Sequence, residues 1–187
     1  SAALEPDEPA QHCPQRNFCR GPGGGRVRRA YLARTPQIKE HSLTRAYKAL
    51  VHGNIKQDSG RIDAPIGRHP SDRKKMTITD KNSREAVTNF RVIERYGRYT
   101  FVECILETGR THQIRAHLAH IGYPLLGDGK YGINKVNRAY NVKTQALYSY
   151  KLTFKFTTDA GILEYLNGKS FQVKDVWFCE KFFGYKL

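Results

Sequence analysis

The chain has 187 residues, enough for one domain with a substantial core. Its 32 Lys and Arg against 17 Asp and Glu leave a net charge of +15, which favours a polyanionic partner, either nucleic acid or an anionic surface. No apolar run is long enough to span a bilayer, no signal peptide is visible, and Cys13, Cys19, Cys104 and Cys179 form no CxxC pair or metal spacing, so the reading is a cytoplasmic chain with reduced thiols and no membrane partner.

Residues 1–37 carry Pro6, Pro9, Pro14 and Pro22 and the run Gly23-Gly24-Gly25, which prevent a long helix or strand. Without apolar periodicity they are expected to be irregular and disordered, and residues 38–187 to form the domain. The stretch HSLTRAYKALVHGNI (41–55) follows. Leu43, Tyr47, Leu50 and Val51 mark a helical face, but Ala49 to Val51 before Gly53 fit a strand end equally well, and both readings stay open. Residues 57–87 are punctuated by Pro65, Gly67 and Pro70 and made basic by Arg68, Arg73, Lys74 and Lys75. If such residues touch phosphates, they set affinity and salt dependence rather than the choice of base.

Phe90, Val92 and Ile93 mark one strand, Tyr99 to Leu106 a second, and Tyr96-Gly97-Arg98 a hairpin turn between them. The second strand is apolar on both sides, Phe101 and Ile105 against Val102, Cys104 and Leu106, which predicts a central strand with Cys104 as a small buried residue. Thr108-Gly109 ends it.

The densest stretch is LETGRTHQIRAHLAHIGYPLLGDGKYG (106–132). Thr111 is a plausible N-cap, Ile114, Leu118 and Ile121 give a short helical pattern, and Gly122 with Pro124 stops it. A strand, a turn and a helix start would bring backbone N–H groups and Arg110 to one spot, which suits an anion. On physics alone the bland alternative stands level with it: Arg110 and Arg115 pair with carboxylates elsewhere in the fold. His112, His117 and His120 invite a metal, but no third ligand follows at useful spacing, so no metal site is expected.

Beyond Gly132 the chain is short and mixed as far as Val142. From Ala146 to Thr157 apolar and polar residues alternate, predicting a half-buried strand. Asp159-Ala160-Gly161 is a turn, and Phe171, Val173, Val176, Trp177 and Phe178 form a further apolar patch. Phe182 and Tyr185 are expected to pack on the sheet rather than stack on bases.

The words TGRTHQIR and HLAHIGYPLLGDGKYG, with SLTRAYKALVHG, RIDAPIGRHPSDRKKM and EAVTNF upstream and TQALYSYKLTF downstream, resemble the RluA family of RNA pseudouridine synthases. The resemblance runs over residues 42–187 and not over the first forty. It implies an α+β fold: a mixed, largely antiparallel sheet with flanking helices and a central RNA-binding cleft. It also implies isomerisation of uridine to pseudouridine, RNA as partner (ribosomal RNA ahead of transfer RNA), a monomer, and no cofactor or metal. Carried over by position, the catalytic pair is Tyr47 and Arg110. Thr111, His112, Gln113 and Arg115 would wall Arg110 and meet RNA or hold the turn, with Arg68 in the basic region beside the RNA. The word RAY-x-A occurs at 29–33 and again at 45–49; only the second is followed by LVHG, which selects Tyr47 over Tyr31. Tyr148 stands where the family usually has histidine.

One family element has no counterpart. The catalytic aspartate belongs to an R-L-D-x-x-T motif upstream of the tyrosine, and the first 57 residues contain only Asp7, set between prolines in LEPDEP. The expectation is therefore an N-terminally incomplete domain behind an out-of-frame or wrongly started segment. As written, the chain would be inactive or nearly so, unless Asp7 or Asp63 stands in. The competing expectation is an inactive or truncated RNA-binding relative.

Overall fold

The computed structural model describes residues 43–184, all within the compact unit spanning residues 37–187. The boundary expected at residue 37, the basic run at Arg26 to Arg29, Asp7, Tyr31 and Tyr185 lie outside the described residues. The strands are β1 (Leu43–His52), β2 (Ser59–Asp63), β3 (Ile66–Arg68), β4 (Met76–Ile78), β5 (Ser83–Arg84), β6 (Val87–Tyr96), β7 (Tyr99–Leu106), β8 (Leu147–Phe154) and β9 (Ser170–Gln172). The helices are α1 (Gln113–His120), α2 (Asn134–Ala139) and α3 (Trp177–Phe183), with a 3-10 turn at Gly161–Leu166. The sheet order is β2-β6-β7-β1-β8-β9, and β4-β3-β5 form a second, small sheet. All pairings between the described strands are antiparallel. This is the α+β class that the resemblance implied.

β1 settles the choice left open between helix and strand. It lies between β7 and β8, where Ala49, Leu50 and Val51 are fully buried because both faces of the sheet are covered. An extended chain hides all three, whereas a helix with one apolar stripe would not. Gly53, at φ +96°, ends the strand. In the β6–β7 hairpin Tyr96 pairs with Tyr99, and Gly97 supplies a positive φ of 55° at the first central turn position.

The sheet has two cores. On one face Ala46, Leu50, Phe101 and Tyr150 pack against Phe178 and Cys179 of α3. On the other, Ala49, Val51, Phe90, Val102 and Cys104 pack against Ile114 and Leu118 of α1. β7 is central and buried on both sides from Thr100 to Cys104, as Phe101, Val102 and Cys104 predicted, but Ile105, expected on a covered face, is 38% exposed near the strand end; burial pushes the Cys104 thiol up to about 12. Phe182 packs on the α3 core. Within that core Lys48 lies 3.7 Å from Glu103, which also accepts from the Tyr150 hydroxyl and from Arg91. Burial alone would raise the Glu103 carboxyl, but the Tyr150, Arg91 and Lys48 contacts outweigh it and hold the group below its ordinary value.

The segment 57–87, expected as a basic turn-rich region, holds four short strands. Its apolar residues are too sparse for a period to show. Ile66 and Ala86 close a small third core with Ala116 of α1, so tertiary packing decides the structure.

The exit from α1 needs glycine. Gly127 has φ +75°, and a Cβ there would fall on the Thr144 carbonyl and the Val142 side chain. Gly127→Ala is expected to destabilise the domain by about 3 kcal/mol. Urea unfolding checks this: a lower midpoint at unchanged slope is the expected result.

Candidate active site and nucleic-acid interface

The end of β7, the turn 107–112 and the start of α1 are held together by one side chain. Gln113 is 2% exposed. Its Oε1 accepts from the Arg110 backbone N–H and from the Thr108 hydroxyl, each at 2.9 Å. Its Nε2 donates to the Val87 carbonyl at 2.9 Å and to Thr88 Oγ1 at 3.1 Å. The Gln113 N–H in turn donates to the Arg110 carbonyl at 3.1 Å. Both polar groups of a buried amide are thus satisfied while the Arg110 backbone is gripped from two sides. Between the two roles that the resemblance left for Gln113, it holds the turn.

The Arg110 side chain is half-buried and donates from Nε to the Glu85 carbonyl at 2.8 Å. Among the described residues no carboxylate pairs with it. Within the described residues, then, the structural alternative raised by the sequence, a distant ion pair, is not seen for Arg110. It holds for Arg115, whose Nε and Nη2 reach the two oxygens of Asp128 at 2.7 Å each. Arg115, also a candidate for meeting RNA, is committed internally: its side chain is 12% exposed and Asp128 is fully buried.

Thr111 is exposed and does not cap α1. His112 takes the cap position with φ 55°, without a side-chain capping bond; the Gln113 N–H donates to the Arg110 carbonyl, and the first α-helical bond runs from the Ala116 N–H to the His112 carbonyl. The His112 ring is half-buried, with Nδ1 3.0 Å from the Tyr131 hydroxyl, which also accepts from the Met76 N–H at 2.7 Å. Tyr131 is tied back through its own N–H to Asp128 and lies under the Arg115 guanidinium at 5.0 Å. Burial, then Arg115 and Lys130, push His112 below the ordinary histidine value, so its ring stays neutral near pH 7. His117 is fully buried between the Thr88 hydroxyl and the Ala64 carbonyl, each at 2.9 Å. Bonding to that carbonyl makes its Nε2 the protonated nitrogen, and burial again lowers its basicity. It is a core residue. No cluster among the described residues is suited to hold a metal ion.

Tyr47 sits on β1 opposite Cys104 and Ser149, partly buried on the face that α1 covers. The helix that carries the Arg110 turn at its start therefore lies on the same side of the sheet as Tyr47. Arg45 went unremarked in the sequence; its guanidinium lies 3.6 Å from where a Gly109 side chain would begin, and it makes no ion pair among the described residues. Among the described residues, two arginines without a carboxylate partner thus border the strand end at Gly109. Arg68, at the end of β3, is exposed and reaches only the Arg73 carbonyl, at 3.5 Å. Asp63, a possible stand-in for the aspartate, is exposed and paired with Arg61 at 2.5 Å.

The family model for RNA pseudouridylate synthases matches residues 26–120, half of the chain. The chain belongs to this family. The match begins at residue 26, upstream of the start that the resemblance suggested, and so includes part of the segment expected to be irregular. An uncharacterized RNA pseudouridine synthase of Bacillus subtilis is 51% identical over 118 residues, covering 63% of this chain and 38% of its own. A ribosomal large subunit pseudouridine synthase D of Pseudomonas aeruginosa is 48% identical over 103 residues, covering 55% of this chain and 32% of its own. The solved human RNA pseudouridylate synthase domain containing 1 superposes with a TM-score of 0.63 at 25% identity, over 80% of this chain and 61% of its own. The chain thus spans under two-fifths of the length of these sequence relatives.

Asp128 gives the site a pH signature. Burial alone would raise its carboxyl, but the Arg115 hydrogen bonds and the Tyr131 and Lys130 N–H groups outweigh it and hold the carboxyl below its ordinary value. A lowered folded value adds stability above the unfolded Asp value, and that stability is lost as pH falls through the folded value. Asp128→Asn is expected to cost about 3 kcal/mol at neutral pH, because Arg115 is left without its anion. Urea midpoints measured from about pH 7 down to about pH 3 should show a shallower acid loss in the variant.

Proposed function

We propose that this protein is built to isomerise uridine to pseudouridine in RNA, with ribosomal RNA as substrate, acting in the cytoplasm as a monomer once its site holds the aspartate. The observation that carries the reading is Arg110: a guanidinium fixed through its backbone by Gln113 and through Nε by Glu85, with no described carboxylate on its remaining nitrogens. An arginine beside a carboxylate keeps it ionised and oriented. In this reaction the glycosidic C–N bond breaks, the uracil turns, a C–C bond to the ribose forms as the ring carbon that makes it loses its proton, and the released ring nitrogen takes up a proton, so that the product is an isomer. An aspartate held by Arg110 acts at the ribose or the uracil, and Tyr47 packs against the base and assists removal of the proton. The base must first leave its stack, at a few kcal/mol. Arg45, Thr111 and Arg68 supply charge and hydrogen bonds for the RNA backbone. The net charge of +15 supports the polyanionic partner, and the ribosomal name belongs to the Pseudomonas relative, from which this assignment is drawn.

The aspartate is expected to come from an R-L-D motif that this sequence lacks. The chain as written should therefore form pseudouridine in unmodified ribosomal RNA at background level only. A chimera in which residues 1–42 are replaced by the corresponding segment of the Bacillus subtilis relative should form it readily, and Arg110→Ala in that chimera should lower the rate about a hundredfold or more. Chemical mapping of pseudouridine reads the outcome. Robust turnover by the unaltered chain would overturn the missing-aspartate account and direct attention to Asp63. A folded but inactive chimera would overturn the assignment of Arg110 and Tyr47.

A further inference from the structure

A cavity of about 390 Å³ lies away from the Arg110 turn, between β2, β6 and the end of α1. Its floor is made by Ile55, Ile62 and Phe90, which are buried in the core, and its partly exposed apolar walls are Ile121 and the aromatic ring of Tyr123. Gln57, Ser59 and Arg61 line its polar side. The side chains of Gln57, Ser59 and Tyr123 make no hydrogen bond to any described residue, whereas Arg61 is held by Asp63 and Glu107.

Two features of the backbone open this space. β2 is an edge strand of the six-stranded sheet. Asp58 bonds to Val92 of β6 and Ala64 to Ala86 just before it, so the antiparallel alternation turns the backbone N–H and C=O groups of Ser59 and Arg61 outward. Gly60 is the second. A Cβ there would stand 2.5 Å from the Phe90 ring, so its absence lets that ring approach the strand closely. The loop leading into β2 is itself fixed, because Arg95 donates to the Ile55 carbonyl at 2.7 Å, to the Lys56 carbonyl at 3.1 Å and to Asp58 at 2.6 Å.

We propose that this cavity takes an unstacked base of single-stranded RNA, as a second recognition point apart from the Arg110 turn. The proposal rests on the reading that the protein engages RNA. An aromatic and aliphatic wall beside unpaired hydrogen-bonding groups is the arrangement that holds a splayed base by its face and edge. The volume suits one nucleotide and is too small for a peptide helix. The cavity and the Arg110 turn lie towards opposite ends of α1, whose eight residues span about 12 Å, so one strand can reach both. The overall charge of +15 favours a nucleic acid over an apolar metabolite as the source of the ring.

The test uses the full chain and two probes. In amide NMR, uridine and adenosine 5′-monophosphates should shift the Ser59, Gly60, Arg61 and Tyr123 signals. In fluorescence anisotropy, Ser59→Trp, which covers the mouth from an exposed edge position, should weaken binding of a single-stranded oligoribonucleotide about tenfold. It should leave binding of a blunt RNA duplex unchanged. Tyr123→Leu, which keeps the apolar packing, should weaken the same single-strand binding, and unchanged thermal unfolding will show that both variants are folded. Shifts confined to other residues, or undiminished single-strand binding by folded Ser59→Trp, would overturn the cavity while leaving the RNA reading intact. Absence of any RNA binding by the unaltered chain would overturn both.

Discussion

The Gln113 side chain is the tie on which the site depends. It is a neutral amide, almost wholly buried, and it bonds at once to the start of β6, to Thr108 at the end of β7 and to the Arg110 turn, adding to the direct links among them from Val87 N–H to Thr108 and from Arg110 to the Glu85 carbonyl. A buried amide left without partners would cost about 1–3 kcal/mol. The Gln113 amide therefore couples the turn to the strand ends and the helix start. Arg110 inherits a fixed position from this arrangement. A guanidinium on a loose loop would sample many directions, whereas this one leaves a turn closed on both sides by residue 113.

A second tie supports the first from behind. Asp128 binds Arg115 through both oxygens and organises the N–H groups of Lys130 and Tyr131. Tyr131 then reaches His112, the residue in the strained left-handed conformation just after the Arg110 turn, and also Met76 in the small sheet. The helix start, the glycine-rich loop and the small sheet are thus connected through charge-assisted and neutral hydrogen bonds. The division of labour between the two arginines of the motif follows. Arg115 is neutralised and structural. Arg110 meets no carboxylate among the described residues.

How much of this could be read in advance depended on the kind of signal. β7 was legible because apolar residues on both sides can only mean burial on both faces, and the Gly97 hairpin was legible because positive φ favours glycine. β1 was ambiguous, since a short apolar run fits either period until its neighbours are known. The strands of residues 57–87 were hidden: Ile62, Ile66 and Ile78 are single apolar residues whose partners come from distant parts of the chain. Arg110 and Arg115 looked alike in sequence, and only the placement of Asp128 separates them. Arg45 carried no signal of its own, because its relation to Gly109 arises from strand pairing and loop return. The family words located the site but did not say which residues face outward.

The central claim is that Gln113 holds the Arg110 turn, and hydrogen exchange of individual amides tests it most directly. The Arg110 N–H donates to a buried acceptor, so it should exchange slowly although it sits in a turn. In Gln113→Met, which keeps the volume and removes the acceptor, the account predicts that Arg110 and its neighbours lose protection while the later α1 amides of Leu118 and His120 keep theirs. Equal protection of the Arg110 amide in both proteins would contradict it.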